Sequence, residues 1–380
     1  MCSSSAPYLM NLLILISLSV IFPQALGCYS SIFSFGDSVA DTGNLYISSP
    51  NESFPFFQPP YGETYFHHPT GRCSDGRLII DFISEFLGIP VRPYFEVIKS
   101  NVGVQNFEGN GVNFAVGGAT ALDSTILGQM GVPNEHTNIS LGTQLEWFKD
   151  LLPSLCNTSS DCDKLFSSSL IIVGEIGGND YNHALLLAEK NIEEVQTYVP
   201  LVIEEIASTI KELIELGAVT LLVPGNFPIG CLSIFLTRFE SPDENQYDSS
   251  TGCLNWLNEF AAYHNDQLQT ELSWIRKLYP NVNIIYADYY NALMRLYYSP
   301  DQFGFIGGTT RACCGGGGPY NYNSSAKCGT SLGVSICENT AYFTNWDGKH
   351  LTEAAYRWIA KALFEEYTMP SLSTLCVSDG

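Results

Sequence analysis

The sequence predicts an α/β protein with a mainly parallel sheet and helices on both of its faces. Three observations carry that prediction. Short, almost wholly apolar runs recur along the chain, and each ends in small or polar residues. Longer stretches with a helical apolar period lie between them. Strand and helix therefore alternate, and parallel neighbours need such a helical crossover to bring the chain back.

Residues 31–35 (SIFSF) lead into Gly36-Asp37-Ser38, and residues 112–116 into Gly117-Gly118. Residues 170–173 point toward Gly177-Gly178-Asn179-Asp180, residues 219–223 run into Pro224-Gly225-Asn226, and residues 282–287 into Asp288. All five read as strands buried on both faces. Helices are predicted over residues 78–86, 198–216, 253–278 and 352–367. In the second, Ile203, Ile206, Ile210, Leu213 and Ile214 share one face. In such sheets ligands bind at the carboxyl ends of the strands.

The chain has 380 residues, 45% hydrophobic and 15% charged, enough for a large core and unlike a disordered composition. No Pro- or Ser-rich linker divides it, so residues 28–380 read as one domain. Residues 1–27 differ. Leu9 opens an apolar run to Phe22, broken by Asn11 and two serines, and Ala25-Leu26-Gly27 offers small residues for cleavage. The run is shorter than the ~20 residues a membrane span needs. A signal peptide over 1–27 is expected, hence a secreted protein (apoplast or vacuole) with no stable membrane anchor.

Twelve cysteines suit an oxidising compartment. Short loops favour pairing Cys156 with Cys162 and Cys328 with Cys337, although sequence alone leaves connectivity open. No C-x-x-C or H-E-x-x-H pattern points to a metal. Asn51, Asn138, Asn157 and Asn323 head N-x-[ST] glycosylation sequons. A net charge of −22 repels nucleic acid and anionic lipid. The glycine run 315–318 has no Lys-Ser/Thr after it and reads as a cysteine-tied loop, not a phosphate cradle.

The chemistry lies at the strand ends. A serine hydroxyl becomes a nucleophile only beside a base that a third group orients. Ser38 follows the first strand at a Gly-Asp-Ser turn, though such a turn is also an ordinary one. Asp347 and His350 are three positions apart in Trp346-Asp347-Gly348-Lys349-His350, just before the last helix, for which Thr352 is a natural cap. One turn of chain lets the carboxylate meet one imidazole nitrogen while the other points outward as a base. Gly118 offers an unobstructed N–H, Asn179 a side-chain amide and Ser38 its own N–H to a developing oxyanion. Gly329-Thr330-Ser331-Leu332-Gly333 also matches G-x-S-x-G, but no buried strand precedes it and no helix follows, so Ser331 is rejected as nucleophile.

Four blocks in order carry a resemblance: FSFGDSVADTGN, GVNFAVGGATA, GEIGGND and NWDGKHLTEAAYR. Together with GRCSDGRLIIDF, PIGC, IIYADYYNA and CCGGGGPYNYN they make the chain similar to the plant GDSL (SGNH-hydrolase) esterase/lipase family, in the branch of sinapine esterase and acetylajmalan esterase. Val39 stands where leucine is commoner. The resemblance implies a three-layer α/β/α sandwich with a mainly parallel five-stranded sheet. It implies ester hydrolysis without metal or cofactor, with Ser38, Asp347 and His350 as triad and Ser38, Gly118 and Asn179 around the oxyanion. It leaves the small-molecule ester open, and some relatives pass the acyl group to an alcohol instead of water. Three functions are thus expected in order: a secreted esterase, an acyltransferase on the same residues, and a silent binding or defence protein. The intact set of five site residues argues against the last.

Overall fold

The first apolar run is an interior strand of the sheet, between two others. β1 (Ser31–Phe35) is buried at every residue, which is why it is apolar on both faces. The computed structural model describes residues 29–100, 109–330 and 333–372. The expected signal peptide, Cys2, Cys28, Cys376 and Ser331 lie outside the described residues.

Beyond β1 come β2 (Val91–Pro93), β3 (Asn110–Asn113), β4 (Ser169–Val173), β5 (Thr220–Pro224), β6 (Asn283–Ala287) and β7 (Thr368–Met369). They form a seven-stranded sheet in the order β7-β6-β5-β4-β1-β3-β2. All pairs are parallel except β7 with β6. The contiguous block β6-β5-β4-β1-β3 corresponds to the five predicted strands. The edges β2 and β7 add three and two residues, too short to carry an apolar run of their own. One prediction is displaced. Residues 112–116 were expected as a strand, yet β3 ends at Asn113. The Asn113 amide turns to Ala40 O (2.6 Å) and its carbonyl accepts from Ala115 N (3.0 Å), so the apolar residues after it continue as buried loop.

Among the helices of the described residues are α1 (Ile79–Leu87), α2 (Leu141–Leu155), α3 (Gly178–Leu186), α4 (Val199–Glu215), α5 (Asn255–Leu278), α6 (Tyr289–Tyr298) and α7 (Glu353–Glu365). Six of these pack as two groups, α2 and α5 against α4, and α1 and α6 against α7. Thr352 caps α7, accepting from Ala355 N, as its position predicts. Phe148 of α2 packs on β1, with its ring edge-on to Phe33, Phe35 and Phe114 at 5.3, 5.7 and 5.7 Å. The period of α2 is obscured by Gln144, a polar residue on its buried face.

Four disulfides are present among the described residues: Cys156–Cys162, Cys231–Cys253, Cys313–Cys337 and Cys314–Cys328. The first matches expectation. The expected Cys328–Cys337 bridge is wrong, because strand pairing overrides loop length. Cys314 stands opposite Ile336, and Cys337 N donates to Cys313 O at 2.9 Å, which brings Cys337 to Cys313 and leaves Cys328 for Cys314. The four sequon asparagines are all exposed. No described helix is long and apolar enough to cross a membrane.

Candidate active site

Ser38 occupies the turn just past β1. Gly36 makes the turn possible, since its φ is 150° and a side chain there would lie 3.0 Å from Glu175 O. Gln144 of α2 holds both backbone groups of Gly36, accepting from its N–H at 2.9 Å and donating to its carbonyl at 2.8 Å. This is the use of the polar residue that hid α2.

The Asp41 carboxylate ties the next loop to this turn. It accepts from the N–H groups of Gly43, Asn44 and Leu45 on one side and from Gly117 N at 2.8 Å on the other. Gly118 (φ 83°) is thereby held in the wall of the same cavity as Ser38. The N–H groups of Ser38 and Gly118 make no hydrogen bond among the described residues. The Asp180 carboxylate fixes α3 in turn, accepting from Ala121 N (2.8 Å) and Leu122 N (2.9 Å).

The last segment closes the site. The Asp347 carboxylate accepts from Lys349 N and His350 N at 2.9 and 2.7 Å, an Asx turn that folds the imidazole back on it. His350 Nδ1 lies 2.8 Å from Asp347 Oδ2, and His350 Nε2 lies 2.8 Å from Ser38 Oγ. Tyr61 donates a further hydrogen bond to Asp347 Oδ2 at 2.8 Å. The residues predicted as nucleophile, acid and base are thus brought into one hydrogen-bonded line.

Asn179 stands differently. Its side chain is fully buried, and both amide hydrogens are committed, to Asp37 Oδ2 at 2.8 Å and Ala119 O at 3.0 Å. Its carbonyl oxygen accepts from Lys349 Nζ at 3.0 Å. In this arrangement the amide braces the turn that carries Ser38, and it points no free hydrogen at the cavity.

The cavity above Ser38 measures about 660 Å³, the size of a small-molecule site. Three of its wall residues are histidines, and their surroundings set them apart. Burial pushes His136 down to about 4, with its ring against Phe54 and Phe56. Burial and Lys349 push His183 down to about 3. His350 is buried too, yet the Asp347 carboxylate at 2.8 Å overrides burial and holds it above its ordinary value. The same pairing holds Asp347 well below the usual carboxylate range against the effect of burial. Only His350 therefore combines a base's partner with contact to a hydroxyl. No group of metal-ligating side chains occurs among the described residues.

Tyr61, Gln144, Lys349 and Cys73 escaped the sequence reading. Cys73 is a buried, unpaired thiol in the cavity wall. Lys349 lay in view within Trp346-Asp347-Gly348-Lys349-His350, whereas Tyr61 comes from an irregular loop with no local signal.

The sequence model of the GDSL-like lipase/acylhydrolase family matches residues 32–363. A GDSL esterase/lipase of Arabidopsis thaliana is 54% identical over 352 residues, covering 92% of this chain and 88% of the relative. A second from the same plant is 53% identical over 349 residues, covering 91% and 89%. Sinapine esterase of Brassica napus is 50% identical over 355 residues, covering 92% and 89%.

Proposed function

The chain belongs to the GDSL-like lipase/acylhydrolase family of carboxylic ester hydrolases, and from that premise we propose that it is a secreted esterase cleaving small esters through an acyl-enzyme on Ser38. One observation carries this reading: Ser38 Oγ, His350 and Asp347 form an unbroken line of 2.8 Å contacts at the floor of the cavity.

In the proposed reaction, His350 Nε2 takes the hydroxyl proton as Ser38 Oγ attacks the ester carbonyl carbon. The imidazolium is stabilised by Asp347, which keeps its own negative charge. The oxyanion develops against the N–H groups of Ser38 and Gly118. Asn179 becomes the third donor when one of its hydrogens leaves Asp37 or Ala119. His350 then returns the proton to the departing alcohol oxygen. Water repeats the sequence in reverse roles, releasing the acid and restoring Ser38. No step draws on a metal or cofactor.

The likeness to sinapine esterase supports an ester of plant specialised metabolism as substrate, with lipid esters as the wider class. Four disulfides and exposed sequons support a secretory route, to the apoplast or vacuole. Hydrolysis is favoured over transfer to an alcohol, since water needs no second pocket.

The test is covalent labelling. A fluorophosphonate should modify Ser38, found by peptide mass spectrometry, and Ser38→Ala should lose both the label and all ester turnover. Labelling elsewhere, or undiminished turnover by Ser38→Ala, overturns the assignment. Capture of most of the acyl group by an added alcohol at millimolar level would make the protein a transferase.

A further inference from the structure

Asn182 and His183 lie in the cavity wall, and three of their side-chain polar atoms have no partner among the described residues. The Oδ1 of Asn182 and both ring nitrogens of His183 are buried and make no hydrogen bond among the described residues. The two residues are only 8% and 1% exposed, and both line the cavity that holds Ser38. Unmet polar atoms are costly, and these three expose almost no surface of their own, so a ligand meets them when the two side chains turn into the cavity.

From these atoms we propose that Asn182 and His183 form a subsite that reads a hydroxyl group on the substrate, one turn of helix away from the reacting carbonyl. This deepens the esterase reading and rests on it. The chemistry of the unmet atoms selects the group. Asn182 Oδ1 is an acceptor and calls for a donor, which excludes a carboxylate or a sulfate. Burial and the neighbouring Lys349 keep the His183 ring neutral, so it offers one N–H and one lone pair. A hydroxyl supplies both functions from one oxygen, donating to Asn182 and accepting from His183. An ether or a hydrocarbon supplies at most one.

Position follows from the helix. Asn179, Asn182 and His183 all belong to α3, at relative positions 0, 3 and 4, and so lie on one face. At a rise of 1.5 Å per residue the subsite lies about 4.5–6 Å along the axis from the Asn179 level. The hydroxyl read here is therefore a few bonds from the ester, as on a ring or a short chain, and not at the end of a long one. Phe56 and Tyr322 in the same wall give the intervening carbon atoms an apolar surface.

The experiment compares esters in matched pairs that differ by one hydroxyl, placed in turn on the acyl and on the alcohol part at increasing distance from the carbonyl. Wild type should prefer one hydroxylated position over its deoxy partner by about 10–100-fold in kcat/KM, the range of one buried hydrogen bond. In Asn182→Leu and in His183→Phe that ratio should collapse toward one. Thermal melts of each variant show whether it is folded, and the wild-type ratio tests the idea without any variant. Equal turnover of every pair by wild type overturns this inference and leaves the esterase reading standing. A preference that survives in both folded variants also overturns it. No turnover of any ester would remove the esterase reading, and this inference with it.

Discussion

Replacing Asn179 by alanine should damage stability and turnover separately, and each loss follows from a different contact. The side chain makes three hydrogen bonds at 2.8, 3.0 and 3.0 Å, to Asp37, Ala119 O and Lys349. Alanine leaves Ala119 O and Asp37 Oδ2 buried and short of a donor, at about 1–3 kcal/mol each. Asp37 escapes part of this penalty, because burial already raises its carboxyl to about 6 and it can take up a proton. Lys349 lines the cavity and can turn to water. A loss of about 2–4 kcal/mol is expected, or roughly 3–6 °C in Tm for a chain of this length. If the amide also joins the oxyanion site, kcat falls by roughly 10²–10³. KM changes little, since the developing charge exists only in the transition state. Calorimetry and steady-state kinetics on one chromogenic ester measure both. A lowered Tm with kcat intact would show that Asn179 only braces Asp37 and would refute the oxyanion role. A raised KM with kcat held would make it a substrate contact.

Other outcomes follow from the same geometry. Burial raises Asp37 to about 6 and Asp180 to about 7, so both hold protons in the folded state that they release when unfolded. Stability from them is fully present below the ordinary value near 4 and is lost as pH rises through 6 and 7, so Tm should fall between pH 5 and pH 8; a Tm rising over that window contradicts it. Tyr61→Phe removes the hydrogen bond to Asp347 Oδ2 and should lower kcat/KM about tenfold. It should also move the acidic limb of the pH–rate profile upward, because a less neutralised carboxylate binds the His350 proton more tightly; an unmoved limb would make Tyr61 a packing residue. Peptide mapping under non-reducing conditions should find Cys313 with Cys337 and Cys314 with Cys328, and reduction should cost about 3 kcal/mol per loop. A Cys328–Cys337 link would overturn that connectivity.

What was legible in the sequence was whatever obeys a local rule. β1 is buried on both faces, so it appears as a mostly apolar run, and the turn at its end announces itself through Gly36. Asp347 and His350 meet within one Asx turn, so their spacing alone reveals the pair. What was illegible depends on contacts between distant segments. Tyr61 reaches Asp347 across 286 positions, and nothing around it marks the contact. The adjacent Cys313 and Cys314 take different partners because a two-residue strand pair decides between them, and loop length cannot foresee that. The polar Gln144 breaks the apolar period of α2 for the sake of Gly36, which lies 108 positions away. The commitment of the Asn179 amide is of the same kind, since Asp37 and Ala119 reach it only once the sheet is assembled.

Ser38 and His350 are separated by 312 positions, and that distance has a consequence for biosynthesis. The serine leaves the ribosome 312 residues before its proposed base is joined. On the proposed reading, a nascent chain carries the nucleophile through that whole interval without any means of activating it. Docking of the final segment against the finished sheet is the event that turns the serine on. Acquisition of activity on that reading waits for His350, and a product cut short before it is an inert one.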